Sequence, residues 1–231
     1  LEGADAQSHY RERLIRLPGS GACTLDLPAE VQPELDLNAL GLEANGAYRF
    51  LLCQMPFKFA PEDDELYVRI AQRLPGSEFW LLRHPRTSAL FDRLWQRLSQ
   101  AFTAAGLDPA HHLRELPWLS TGEFYALLDH MDVYLDCPNF SGYTTAWQAL
   151  HQGIPIITWE GEFLRQRLAA GLLRQIQQCE GIVHSASEYV QRACDWALAS
   201  HQQPQRSQQR QAWREAALRH THDRVDVVRA F

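Results

Sequence analysis

From Tyr48 onward the hydrophobic positions switch repeatedly between two patterns. Short apolar runs at 48–53, 78–83, 112–116, 132–137, 154–159 and 181–183 have the length and content of buried strands. Between them, apolar residues recur at helical spacing over 61–74, 88–105, 120–131, 144–152, 163–178 and 185–200. Local punctuation agrees. Pro61 followed by Glu62, Asp63, Asp64 and Glu65 suits a helix start, where a missing N–H costs nothing and acids complement the dipole. Ser120 with Glu123 three residues on forms a capping-box signature. Pro75-Gly76, Gly106 and Gly153 stop helices.

Strands separated by helices require crossover connections, hence a parallel sheet covered on both faces. The chain therefore reads as α/β, with one doubly wound, Rossmann-like domain over 47–200. Residues 1–46 read as a connecting arm, mostly irregular, with turns at Pro18-Gly19-Ser20-Gly21 and Asn45-Gly46, breaks at Pro28 and Pro33, and one short helix near 10–16. Residues 201–231, rich in Gln, Arg and Ala, read as a tail that starts as a loop at Pro204 and ends in an exposed helix.

Composition narrows the function. The 231 residues carry a net charge of −6, which excludes nucleic-acid binding through a basic face. No apolar run reaches the roughly 18 residues of a membrane span, and Leu1-Glu2-Gly3-Ala4-Asp5 lacks the basic and apolar regions of a signal peptide. The five cysteines (Cys23, Cys53, Cys137, Cys179, Cys194) form no C-x-x-C pair, which points to buried thiols and a reducing, cytoplasmic compartment. Ten histidines include no H-E-x-x-H, and His111-His112 and His220-x-His222 lie in polar stretches. No metal or resident cofactor is expected.

Ligands of open α/β sheets bind at the carboxyl ends of strands, so the candidate chemistry sits in strand-to-helix turns. The turn 139–145 offers Gly142 for close backbone approach, hydroxyls on Ser141, Thr144 and Thr145, and a helix N-terminus suited to phosphate. On local pattern alone it reads first as an ordinary helix cap with a turn glycine. The turn 54–61 contains Lys58, the single lysine among 22 basic residues, a candidate point charge for phosphate or a surface lysine. The turn 159–163 places Glu160 and Glu162 where carboxylates meet sugar hydroxyls or simply start a helix. Gly19-Ser20-Gly21 lacks the G-x-S-x-G spacing and the preceding strand of a nucleophile elbow.

Taken in order, Gln54 to Lys58, Phe79-Trp80-Leu81-Leu82-Arg83, Val133-Tyr134-Leu135-Asp136, Gly142-Tyr143-Thr144-Thr145 and Gly153-Ile154-Pro155-Ile156-Ile157-Thr158 with Gly161-Glu162 resemble the C-terminal half of the O-linked N-acetylglucosamine transferase and SPINDLY-like glycosyltransferases. The arm from Tyr10 to Gly19 resembles the segment joining their two lobes, so the likeness spans about 9–178. It implies one lobe of a GT-B fold that binds a UDP-sugar. It implies that Gln54 and Lys58 meet the diphosphate, Lys58 stabilising the leaving group. It also implies that Thr144 and Thr145 hold phosphate, with Ser141, Gly142, Tyr143, Gln148 and Glu162 completing the donor site. Tyr143 stands where the family has His, Gln148 where it has Asp, and the lysine loop is one residue longer. The implied partners are a nucleotide-sugar, a protein acceptor, and an N-terminal lobe with tetratricopeptide repeats outside this chain. The alternatives are a non-catalytic nucleotide-sugar-binding or protein-interaction module, and a nucleotide-sugar epimerase, for which no acid/base pair stands out.

Overall fold

The computed structural model describes residues 1–17, 19, 35–36, 40, 46–202, 204–221 and 229. Six strands, β1 (Tyr48–Leu52), β2 (Ser77–Leu82), β3 (Leu113–Leu116), β4 (Val133–Leu135), β5 (Ile156–Trp159) and β6 (Ile182–Val183), form one parallel sheet in the order β3-β2-β1-β4-β5-β6. The helices are α1 (Asp64–Arg73), α2 (Ser88–Ala104), α3 (Pro109–His112), α4 (Thr121–Asp129), α5 (Thr144–His151), α6 (Leu168–Gln175), α7 (Ala186–Ser200) and α8 (Gln205–Thr221). The chain steps from β1 to β3 in one direction, then crosses over and steps from β4 to β6 in the other. Right-handed crossovers therefore place α1 and α2 on one face and α4, α5 and α6 on the other. Helix α7 returns to pack on α1. The reversal between β1 and β4 is the topological switch point of a doubly wound sheet.

The interior follows from the apolar runs. Every residue of β2 is buried, as a central parallel strand requires. Phe79 stacks on Phe50 at 5.4 Å between ring centres and meets Phe102 and Tyr67 edge-on. Glu78 is polar in that run, and its charge is balanced by Arg114 at 2.9 Å and bonded by the Trp80 indole at 3.1 Å.

Several elements depart from expectation. The expected helix over 163–178 is broken into a single 3-10 turn, Leu164–Gln166, and α6. The Gln166 side chain accepts the Phe163 N–H at 3.1 Å, and Arg167 turns to the Leu1 and Gly161 carbonyls. These local bonds outcompete a continuous helix. The short helix expected near 10–16 is absent, and a 3-10 turn lies earlier, at Ala6–His9. Gln7 is the cause: its side chain bonds Tyr10 O, Glu12 O and Leu14 N. The expected strand 154–159 begins only at Ile156, and the expected strand 132–137 contracts to β4, leaving Asp132 and Asp136 at its two ends. Pro18, Ser20, Gly21, Cys23, Pro28, Pro33, Asn45 and His222 lie outside the described residues.

The tail helix is anchored where free exposure was expected. Trp213 and Ala217 are buried, Trp213 meeting Trp196 of α7 edge-on at 5.6 Å. Arg210 donates to the Leu128, Asp129 and Met131 carbonyls, satisfying the C-terminal end of α4. Gly153 admits this contact. Its φ is +70°, and the Arg210 carbonyl occupies the space a Cβ would need. Gly106 has φ +77° with nothing within 4 Å. Gly106→Ala should therefore cost only the left-handed strain of about 1–2 kcal/mol. Gly153→Ala should lower the melting temperature clearly further, because α8 must shift as well. Equal losses in the two variants by thermal denaturation would refute this docking.

Candidate functional site at the switch point

Two turns meet where β1 and β4 pair. One leaves β1 and contains Gln54 and Lys58. The other leaves β4 and runs through Asp136 to the start of α5. Asp136 holds them together. It is fully buried. Its Oδ1 accepts the Gly142 N–H at 2.6 Å and lies 3.3 Å from Gln54 Nε2. Its Oδ2 accepts hydrogen bonds from the Ser141 hydroxyl at 2.6 Å and the Thr158 hydroxyl at 2.7 Å. The Tyr189 hydroxyl donates to its backbone carbonyl at 2.8 Å. Burial raises the Asp136 pKa, opposed by these donors and by the charge of Lys58.

Lys58 ends a one-turn 3-10 helix, Pro56–Lys58, and is half-buried. Its ammonium donates to the Ser141 carbonyl at 3.0 Å and lies 4.3 Å from the centre of the Phe140 ring. Burial lowers its pKa, while the Asp136 carboxylate pulls the other way. One proton is thus used on the turn itself, and an ammonium has three. Helix α5 begins immediately beyond. Its N-cap, Tyr143, makes no side-chain cap, so the dipole and the first N–H groups of α5 face the turn. Thr144 is exposed there and Thr145 half-buried.

The expected contact residues divide. Lys58, Thr144 and Thr145 stand on the open side of the turn. Ser141 and Gly142 do not: both are buried, and their donors are committed to Asp136. Ser141 Oγ also accepts the Ala169 N–H at 2.9 Å. Gly142 is needed because the Tyr134 hydroxyl fills the place of a Cβ, which replaces the expected reason of ligand approach. Gln54 turns its NH2 inward to Tyr134, Leu135 and Asp136. Its Oε1 finds no partner among the described residues, and a carbonyl oxygen is no donor to phosphate. Glu162 is exposed and pairs with His9 of the arm at 3.1 Å, away from this group. Its neighbour Glu160 is tied up by Arg167 at 2.7 Å and by Arg174.

Gln148, one turn along α5, lines a cavity of about 250 Å³ with Thr145, Cys53, Leu82, Phe124 and the segment Trp118 to Thr121. Tyr143, the N-cap of α5, is not among the residues lining that cavity; its ring lies 6.4 Å from that of Trp147. Burial pushes the Cys53 thiol up to about 12, so it lines the wall as a neutral group. The turn after β3, marked in the sequence by its capping box, is itself a strand-to-helix turn at the carboxyl edge. Asp136 and Tyr134 were missed as site residues. The signal for Asp136 was available: an acid directly at the carboxyl end of an apolar strand. A second cavity, about 370 Å³, opens on the other side of the turn, lined by Asp63, Asn139, Trp159 and Gly161. Among the described residues no group of three or more His, Cys, Asp or Glu side chains is placed to hold a metal ion.

Comparison with known proteins gives this geometry a context. The model of glycosyl transferase family 41 matches residues 45–224. A probable UDP-N-acetylglucosamine–peptide N-acetylglucosaminyltransferase, SEC, of Arabidopsis thaliana is 29% identical over 197 residues, covering 82% of this chain and 19% of its own length. The corresponding SPINDLY protein of Solanum lycopersicum is 26% identical, with 84% and 20% covered. The chain thus spans about a fifth of these relatives. Among solved structures, a variant O-GlcNAc transferase from Thermobaculum terrenum superposes with TM-score 0.62 at 23% identity, covering 90% of this chain and 42% of that one. A trehalose-6-phosphate protein from E. coli, bound with UDP-2-fluoro glucose, gives 0.59 at 13% identity, with 84% and 47% covered. These likenesses show the fold: one lobe of the GT-B architecture.

Asp63 offers a test of the turn's second side. Its carboxylate is bonded by Asn139 Nδ2 at 3.3 Å, and burial raises its pKa from 3.8 to about 6, the Asn139 bond opposing and the Glu62 and Asp64 charges adding. The folded state then keeps a proton that the unfolded chain has released. That contribution is present below about pH 4 and lost as pH rises through about 6. Asp63→Asn should therefore gain melting temperature relative to wild type as pH rises from 4.5 to 7. A difference independent of pH would contradict it.

Proposed function

The chain belongs to glycosyl transferase family 41, and on that footing we propose that it is the donor-binding half of a metal-independent, inverting glycosyltransferase. The donor is UDP-N-acetylglucosamine and the acceptor a hydroxyl, on a protein serine or threonine. The activities for which its relatives are named support these substrates. The observation that carries the reading is the convergence of Lys58 and the uncapped start of α5 on one turn at the switch point. Residues 1–46 serve as the connecting arm, 47–200 as the nucleotide-sugar-binding domain and 201–231 as its helical tail.

In this reading the diphosphate lies over the turn. Lys58 supplies a full positive charge, and α5 supplies N–H groups and the Thr144 and Thr145 hydroxyls. The nucleoside occupies the cavity that Gln148 lines, with the Gln148 amide toward the ribose. The acceptor oxygen attacks the anomeric carbon from the face opposite the leaving group. The bond from that carbon to the phosphate oxygen breaks, and its electron pair stays on the departing UDP. Lys58 and the α5 N-terminus stabilise that charge where it develops. The proton of the acceptor passes to a base on the partner lobe, outside this chain, which also holds the helical repeats. No helix among the described residues is long and apolar enough to cross a membrane. The described cysteines, all free, support a cytoplasmic setting.

Titration with UDP tests the site. Lys58→Met keeps the length and removes the charge, so affinity should fall by one to two decades, the worth of a charge-assisted hydrogen bond of roughly 1.5–3 kcal/mol. Lys58→Arg should recover only part of it, because a planar fork does not fit a point-charge position between a carbonyl and a ring. Wild-type affinity should be the same with and without EDTA. Unchanged UDP affinity in a folded Lys58→Met variant would remove Lys58 from the site.

A further inference from the structure

Tyr134 is fully buried in β4, and its ring is ordinary core. Its hydroxyl has a more specific place. It lies 2.9 Å from Gln54 Nε2 on one side and 2.9 Å from Thr145 Oγ1 on the other. The direction of the hydrogen bonds along this chain follows from its inner end. The terminal amide atom of Gln54 that faces Tyr134 lies 3.3 Å from the Leu135 carbonyl oxygen and 3.3 Å from Asp136 Oδ1. Oδ1 already accepts the Gly142 N–H, and the Leu135 carbonyl can only accept. The atom facing both must therefore be the NH2 group. Reversing the amide would set three acceptor oxygens against one another.

One N–H of Gln54 points at that pair, and the other donates to the Tyr134 oxygen. Burial raises the pKa of this phenol well above 10, so it keeps its proton. With its oxygen receiving from Gln54, the Tyr134 O–H has Thr145 Oγ1 as its acceptor. Thr145 then receives a hydrogen bond from the interior and keeps its own proton to give outward. Cys53 also touches both hydroxyls. As a neutral thiol it is a weak acceptor and does not compete with an anionic oxygen.

We propose that Tyr134 is a positioning residue: its buried hydroxyl sets the polarity of a chain from Gln54 to Thr145, and so makes Thr145 a committed donor to an oxygen of the bound diphosphate. The proposal rests on the reading of this turn as a phosphate site. It also gives Gln54 its part in that site. Gln54 does not touch phosphate with its amide; it orients the hydroxyl that does. Preorganising a donor in this way removes the cost of turning it at the moment of binding.

The test uses the full 231-residue chain, with UDP and uridine titrated separately by calorimetry at one pH and salt. Tyr134→Phe deletes one oxygen and leaves the ring in the core. It should weaken UDP about three- to tenfold, the range of one neutral hydrogen bond, and leave uridine unchanged. Thr145→Val should weaken UDP at least as much, and Thr145→Ser should stay near wild type. The double variant Tyr134→Phe with Thr145→Val should be no weaker than Thr145→Val alone, because both break the same chain. Gln54→Met, one bond further in, should show the same selectivity for UDP over uridine, which keeps the test open if Tyr134→Phe folds poorly. Equal UDP affinity in wild type and folded Tyr134→Phe overturns the proposal, as does an equal loss for uridine or an additive double variant. Failure of the wild type to bind UDP at all overturns the phosphate reading, and the proposal falls with it.

Discussion

A carboxylate in the dry interior of a protein must find hydrogen-bond donors there, and Asp136 obliges three parts of the chain to supply them. Gly142 and Ser141 come from the turn after β4, Thr158 from β5, and Gln54 from the turn after β1. An isolated buried charge would cost several kcal/mol or lose its ionisation. Satisfying it closes the turn over 136–142 into one conformation. The rest of the cleft inherits that conformation. The start of α5, the ring of Phe140 beneath Lys58 and the Ser141 carbonyl that holds the ammonium are all placed by the same bonds.

This arrangement puts a negative group under the proposed anion site, which makes sense once its effect on Lys58 is considered. Partial burial disfavours the charged ammonium, and the Asp136 carboxylate favours it. The lysine can therefore remain half-buried, held against a carbonyl and an aromatic face, without losing its charge. In a chain whose other basic residues are all arginine, the one position that suits a compact point charge carries the lysine. Arginine is used instead where several carbonyls must be met at once, as at the end of α4 by Arg210.

The two edges of the sheet carry separate tasks. The carboxyl edge holds the candidate site and both cavities bordering its turn. Near the amino edge, α8 contacts α5 and α7 and caps the end of α4. The Gly153 turn and Trp213 fasten it there. Loss of that docking would reduce stability while leaving the turn after β4, held by Asp136, largely intact. The arm behaves differently. Its His9 reaches Glu162, so the turn after β5 is committed to the chain's own N-terminal region.

Periodicity was sufficient for the architecture, because strand and helix repeats are local and a parallel sheet is what alternating elements can build. The order of apolar runs, the proline and acids at the head of α1, and the Ser120–Glu123 box were all legible as such. So was the Thr144-Thr145 helix start, since a helix terminus advertises itself in nearby residues. Local reading failed where a side chain answers to something distant. Gln7 and Gln166 bend segments that look helical. Glu162 belongs to the arm, Trp213 belongs to α7, and Ser141 and Gly142 face the interior. The sequence by itself determined the class of fold and which turns hold polar chemistry. Only the tertiary structure decided that Tyr134 and Gln54, 80 positions apart, share a hydrogen bond, and that the Ser141 hydroxyl is committed to the interior. The physical reason is that hydrogen-bond satisfaction in the interior is settled between elements adjacent in space, and no window along the chain contains both partners.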